Sequence, residues 1–300
     1  MERIINTKNV EDIVQCILDD YSDDRAINRT ELHNQPDKKM ILEIISKLLK
    51  IVYPGYYGDK VYKIYNMKYN LSATIEDVIY HLNKQIVIVL RYCNTYPEMN
   101  DEELQEKASQ ITYDYMKRIP VIREYLETDI QAAFDGDPAA SSKDEVIMSY
   151  PGVYATTIYR LAHELLLLGV PMIPRIMTEH AHSLTGIDIH PGATIGKYFF
   201  MDHGTGIVIG ETTIIGEHVK VYQGVTLGAL STTGGQKLKN VRRHPTIGDN
   251  VTIYSGASIL GGDTIIGDNV VVGGNAFITS SIDKDSRVSI KKPELKIVEK

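Results

Sequence analysis

At 300 residues, 43% hydrophobic and 24% charged, the chain is long enough for two domains and apolar enough to bury a core in each. Its formal net charge of -7, with a pI near 5.7, argues against a sequence-independent nucleic-acid binder, which needs a concentrated cationic surface. The two cysteines, Cys16 and Cys93, lie outside any metal-type spacing, so they offer no disulfide framework and suit a reducing compartment.

From the N-terminus, MERIINTKNVEDIVQCILDDYSDD carries acids throughout and lacks the continuous apolar stretch of a secretory signal. The longest apolar run, IVIVL at 86–90, is far short of the ~20 residues a membrane helix needs, so a cytoplasmic protein without a membrane partner is expected. Residues 1–185 read as an α-helical domain. Over 74–93, Ile75, Val78, Ile79, Leu82, Ile86, Val89 and Leu90 recur at steps of three and four, which places one apolar face on a helix. Similar spacing predicts helices over 9–20, 39–51, 101–117, 121–134 and 153–168, with Gly169 as a stop followed by Pro171 and Pro174.

After Gly186 the period becomes six. Ile189, Ile195 and Met201 form one series; Ile209, Ile215, Val221 and Leu227 a second; Ile247, Ile253 and Ile259 a third; Ile266, Val272 and Ile278 a fourth. Glycine follows many of these positions. Such a period fits neither a 3.6-residue helix nor an alternating strand. It fits a solenoid in which each hexad is one short strand and a turn, its aliphatic residue pointing inward and successive coils pairing about 4.8 Å apart. The expected architecture is therefore α+β: helical 1–185, a β-solenoid over 186–282 interrupted by a loop at 229–244, and a tail over 283–300.

The motifs DIHPGATIG, MDHGTGIVIGET, QGVTLG and RRHP, in this order, resemble those of hexapeptide-repeat acyltransferases with a left-handed parallel β-helix, and more narrowly the serine O-acetyltransferase family. The similarity runs from about Asp137 to Ile282. It implies transfer of an acetyl group from acetyl-CoA to the hydroxyl of L-serine in cysteine biosynthesis, without a metal. It also implies a homotrimer or dimer of trimers with sites between adjacent solenoids, and inhibition by cysteine.

That chemistry needs a base, since a serine hydroxyl is hardly ionised at neutral pH. An imidazole with an ordinary pKa near 6.5 can accept that proton, and a carboxylate on its far nitrogen fixes the tautomer. His203 lies fifteen residues after Asp188, slightly less than one coil of three hexads, and the eight-residue step from Met201 to Ile209 loops it out of the repeat. By the resemblance, His203 is the general base and Asp188 its orienting partner. His190, between Ile189 and Pro191, reads instead as a structural hydrogen-bonding residue. Serine is a zwitterion. Asp137 and Asp202 match the acidic positions that contact its ammonium, with Asp137 also readable as a turn aspartate before Pro138; Arg243 and His244 match the basic pair, the guanidinium suited to a carboxylate. Gly228, Ala229, Ser255 and Gly274 fall where the family lines its coenzyme A groove.

The chain departs from the pattern in its long loop, where QKLKNVR at 236–242 is inserted and Ala229 replaces a usual glycine. It ends KIVEK rather than in the terminal isoleucine that family members insert into O-acetylserine sulfhydrylase, so the resemblance does not extend to that complex. A sugar or other small-alcohol O-acetyltransferase on the same solenoid would share the base and groove but gives no reason for Asp137 or the basic pair. A zinc hydratase would need three converging imidazoles, for which His180 and His182 are candidates. A non-catalytic trimeric scaffold leaves the catalytic residues unexplained.

Overall fold

The computed structural model describes residues 7–23, 25–28, 35–58, 66–239 and 241–291; the C-terminal KIVEK lies outside them. The chain forms two compact units, residues 1–35 and 36–300. The first contains helix α1 (Thr7–Tyr21), with Val10, Ile13, Val14 and Ile17 at helical spacing.

The second unit begins with α2 (Lys38–Val52), α3 (Met67–Tyr92), α4 (Asp101–Gly136), α5 (Lys143–Ser149), α6 (Pro151–Leu167) and α7 (Ile173–Thr185). Two departures from expectation stand out. The predicted helices 101–117 and 121–134 are one, running through Pro120. An internal proline costs about 3 kcal/mol, but Ile111, Tyr115, Ile119, Ile122, Leu126 and Ile130 make a continuous buried stripe across it. Each such side chain contributes about 1.5–3 kcal/mol by burial, so the packing outweighs the break. Beyond Gly169, α7 forms because Pro174 occupies its first turn, where a missing N–H is harmless. Gly186 ends that helix in a left-handed conformation, φ 70°.

Fourteen short strands follow among the described residues. The first face of the solenoid stacks β1 (Asp188–Ile189), β4 (Val208–Ile209), β7 (Thr226–Gly228), β10 (Ser258–Leu260) and β13 (Phe277–Ile278). The second stacks β2 (Thr194–Ile195), β5 (Ile214–Ile215), β8 (Thr246–Ile247) and β11 (Ile265–Ile266). The third stacks β3 (Phe200–Asp202), β6 (Lys220–Tyr222), β9 (Thr252–Ile253), β12 (Val271–Val272) and β14 (Arg287–Val288). All pairings are parallel. Every residue of the period-six series is buried and most pair with one another, as Ile195, Ile215, Ile247 and Ile266 do in one column. The strands continue past 282, because β14 still pairs with β12 although its Val288 lies off the hexad series.

Glycine after the inward residue has a steric cause. A Cβ on Gly196 would lie 2.5 Å from the Gly216 carbonyl oxygen, and one on Gly216 would lie 2.2 Å from Asp249 Oδ1. The coils are simply too close for a side chain there.

A parallel solenoid leaves the backbone of its first coil unpaired on one side, and buried groups there need partners. Helix α6 supplies them. The Tyr159 hydroxyl donates to Ala193 O at 2.6 Å, and Arg160 donates to Ile195 O at 3.1 Å and Gly196 O at 2.8 Å. Arg160 also forms a buried two-point ion pair with Asp129 of α4 at 2.5 and 2.8 Å, and Asp129 accepts the Phe199 amide at 3.0 Å. Helices and first coil are thus joined by a satisfied polar network. One consequence is that the C-terminal end of α4 is fixed against the third face, where Lys220 Nζ donates to Gly136 O.

Candidate active site

His203 follows β3 at the corner where the chain passes from the third face to the first. Its φ of 59° is left-handed, as are those of Gly204 and Gly206, and the two extra residues of this step push its imidazole outward, with its side chain 69% exposed. The loop rests on the start of the first coil: Gly206 N donates to Gly186 O at 2.7 Å, and a Cβ on Gly204 would meet Ile187 Cδ1 at 2.5 Å. The ionisable partner of His203 is Asp202, with Nε2 3.8 Å from Oδ1. Asp188 faces outward on β1, and among the described residues it makes no hydrogen bond or ion pair with His203. Its carboxylate lies beside His182 and Glu179, the three groups within 4.8 Å of one another. No three imidazoles converge in this way among the described residues.

Asp137, at the end of α4, comes to the same corner. Its Oδ1 accepts the Ala139 amide at 2.8 Å, a turn-forming bond, and its Oδ2 accepts the Tyr150 hydroxyl at 2.5 Å. The Tyr150 bond above all, then the amide, Lys220 and His203, hold this carboxyl below the usual carboxylate range. Asp137 is therefore a turn aspartate that also lies within electrostatic reach of His203. Further along this corner lie Ser255 and Gly274, where a Cβ on Gly274 would sit 3.1 Å from Ser255 O.

Arg243 and His244 occupy the next corner, between the first and second faces. The Arg243 guanidinium pairs with Glu211 and also reaches Leu238 O and Val241 O at 3.3 Å, which ties the long loop to the solenoid. Glu211 is raised by burial, but its bond to Arg243 and the charges of His190 and Arg243 prevail and hold it low. His244 Nδ1 accepts the Thr212 amide at 3.0 Å, while Thr212 Oγ1 accepts the amides of Arg243 at 2.9 Å and His244 at 3.1 Å. Burial first, then the neighbouring Arg243 charge, push the imidazole down to about 4. It is neutral at pH 7, and with Nδ1 accepting, its proton sits on Nε2. Gly228 closes β7 at this corner with Ala229 next in the chain, and a Cβ on Gly228 would be 3.0 Å from Leu260. His190 Nδ1 accepts the Gly192 amide at 3.0 Å within its own turn.

Apart from Asp188 and Gly228, which lie on strands of the first face itself, the residues read from sequence thus form two columns flanking that face. Three contributors were not read: Tyr150, Glu211 and Thr212. The last two stand 32 residues before Arg243 and His244, the interval that separates the stacked Ile215 and Ile247. Subtracting the inserted loop makes them neighbours in adjacent coils.

No protein-family model matches the chain. A plasmid-encoded serine acetyltransferase of Synechococcus elongatus is 41% identical over 222 residues, 72% of this chain and 70% of that protein. The chain belongs to the serine acetyltransferase family. A serine acetyltransferase of Synechocystis is 48% identical over 126 residues, 42% of this chain and 48%, about half, of its own length. The crystal structure of Entamoeba histolytica serine acetyltransferase isoform 3, in complex with cysteine, superposes with a TM-score of 0.73 at 38% identity, covering 97% of this chain and 95% of that one. The activity is acetyl transfer from acetyl-CoA to the hydroxyl of L-serine, giving O-acetyl-L-serine and CoA.

Proposed function

We propose that His203 is the general base of this serine acetyltransferase and that Asp188 steers it. In the reaction His203 takes the serine hydroxyl proton as the oxygen attacks the thioester carbonyl. The tetrahedral intermediate collapses with cleavage of the C–S bond, and the imidazolium returns its proton to the departing thiolate. No acetyl-enzyme is needed. Asp137 and Asp202 take the serine ammonium, while Arg243 and neutral His244 take its carboxylate. Gly228, Ala229, Ser255 and Gly274 border the coenzyme A groove, where small side chains let the pantetheine approach the backbone.

The observation that carries this reading is the meeting of Asp137, from the helices, with Asp202 and His203 of the solenoid at one corner. A sugar transferase has no use for two carboxylates beside its base. Steady-state assays with L-serine and with galactosides test this: strong preference for serine is expected, and preference for the sugar would overturn it.

The proposal includes a trimer, or a dimer of trimers, with each site between two solenoids. It includes cysteine as a competitive inhibitor, since cysteine presents the same ammonium and carboxylate and is the molecule bound in the Entamoeba structure. A cytoplasmic location is also part of it: the two cysteines, Cys16 and Cys93, far apart in the chain, offer no disulfide framework, which suits a reducing compartment. No helix of the described residues is long and apolar enough to cross a membrane.

A further inference from the structure

Tyr150 joins two helices, closing α5 and opening α6. Its backbone is held at both ends: its amide donates to Val146 O and its carbonyl accepts the Tyr154 amide, each at 3.2 Å. The ring packs against the helical core. The hydroxyl takes no part in capping α6. Its one hydrogen-bond partner among the described residues is Asp137 Oδ2, at 2.5 Å.

That single contact has a specific effect on Asp137. A carboxylate fixed only by its turn amide can rotate about its last torsion and present either oxygen. With the Ala139 amide on Oδ1 and the Tyr150 hydroxyl on Oδ2, both oxygens are fixed and each keeps a lone pair free. Tyr150 is itself pushed up to about 12, the bond to Asp137 being the first cause, so it stays a donor throughout the physiological range. Its electrostatic neighbours include Asp202 as well as Asp137, the two carboxylates assigned to the ammonium.

We propose that Tyr150 is a positioning residue for serine binding, aiming the Asp137 carboxylate at the substrate ammonium through its hydroxyl. This rests on the reading of Asp137 given above. It acts on binding, because the ammonium is equally charged in the bound substrate and in the transition state, so its contribution is uniform.

Tyr150→Phe removes the oxygen and leaves the ring. A charge-assisted hydrogen bond lost from the carboxylate is expected to raise the serine KM about tenfold, with kcat within about twofold and the acetyl-CoA KM unchanged. Asp137→Asn is expected to raise the serine KM as well, and adding Tyr150→Phe to it is expected to change nothing further. Inhibition by 3-hydroxypropionate, which lacks the ammonium, should be equal in wild type and Tyr150→Phe. An unchanged serine KM in Tyr150→Phe beside a raised one in Asp137→Asn overturns the role of Tyr150 alone. An unchanged serine KM in Asp137→Asn overturns the ammonium reading beneath it. Additive effects in the double variant, or a loss confined to kcat, also overturn the proposal.

Discussion

Gly210→Ala tests the second corner through a single methyl group. A Cβ there would stand 2.1 Å from His244 Cδ2 and 2.2 Å from Nε2, where ordinary contact begins at 3.4 Å. The ring must retreat by 3.4 − 2.1 = 1.3 Å, enough to carry Nδ1, now 3.0 Å from the Thr212 amide, out of hydrogen-bonding range. Leaving that amide unsatisfied costs about 1–3 kcal/mol of stability. Displacing Nε2–H from the serine carboxylate removes a charge-assisted hydrogen bond of about 1.5–3 kcal/mol, a rise in serine KM of roughly 12- to 160-fold. Gly196→Ala is the control: its Cβ meets the Gly216 backbone at 2.5 Å and no site residue. It should lower the melting temperature while serine KM holds in the protein that remains folded. Thermal melting and serine kinetics on both variants decide the matter. A Gly210→Ala enzyme that melts lower but keeps its serine KM would refute the placing of His244 against the substrate.

Replacing His203 with Ala should lower turnover by about 10²–10⁴-fold with the oligomer unchanged by size-exclusion chromatography; substantial residual turnover would remove its role as base. Because His244 titrates near 4 in the fold and near 6.5 when unfolded, the unfolded chain binds the extra proton between these values. Its contribution to stability is complete above about pH 6.5 and is lost as pH falls towards 4. Denaturant titrations at pH 7.5 and 5.0 should show a smaller loss in His244→Gln than in wild type, and equal losses would count against a buried neutral ring. If each site takes His203 from one copy and His244 from the next, His203→Ala and His244→Ala chains refolded together should regain activity at about one quarter of their interfaces. Assays at limiting serine measure it, and a mixture no more active than the mean of the two variants assayed separately would place the whole site within one copy.

The solenoid was legible because its period has one geometric meaning. Ile189, Ile209, Leu227, Ile259 and Ile278 stack in one column although their spacings differ, since each extra residue is absorbed at a corner and the inward register resumes. Helix boundaries were less legible where tertiary packing overrules local preference, as at Pro120, or where a proline starts a helix rather than stopping one, as at Pro174. Among the site residues, those in the resembling motifs could be named. Glu211 was in view within IGET, but its role depends on Arg243 beyond a loop that hides the register. Tyr150 belongs to no periodic pattern, and only the approach of the α5–α6 junction to the end of α4 gives its hydroxyl a purpose.

The same geometry bears on where one serine can lie. Asp202 and His203 precede the strand of the first face and Glu211 follows it, with residues 207–210 between. At about 3.3 Å per residue those four span roughly 10 Å or more. An α-amino acid carries its ammonium and carboxylate on a single carbon, too close together to touch both corners of one solenoid. Each corner alone is chemically half a site, carboxylates and a base on one side, a cation and a neutral donor on the other. In the proposed assembly, apposing the acidic corner of one copy to the basic corner of the next would supply both halves and would make catalysis conditional on assembly. Glu211 pairs with the Arg243 guanidinium at the rim of the solenoid, and in that assembly it would keep the guanidinium oriented until the substrate carboxylate on the neighbouring copy shared it.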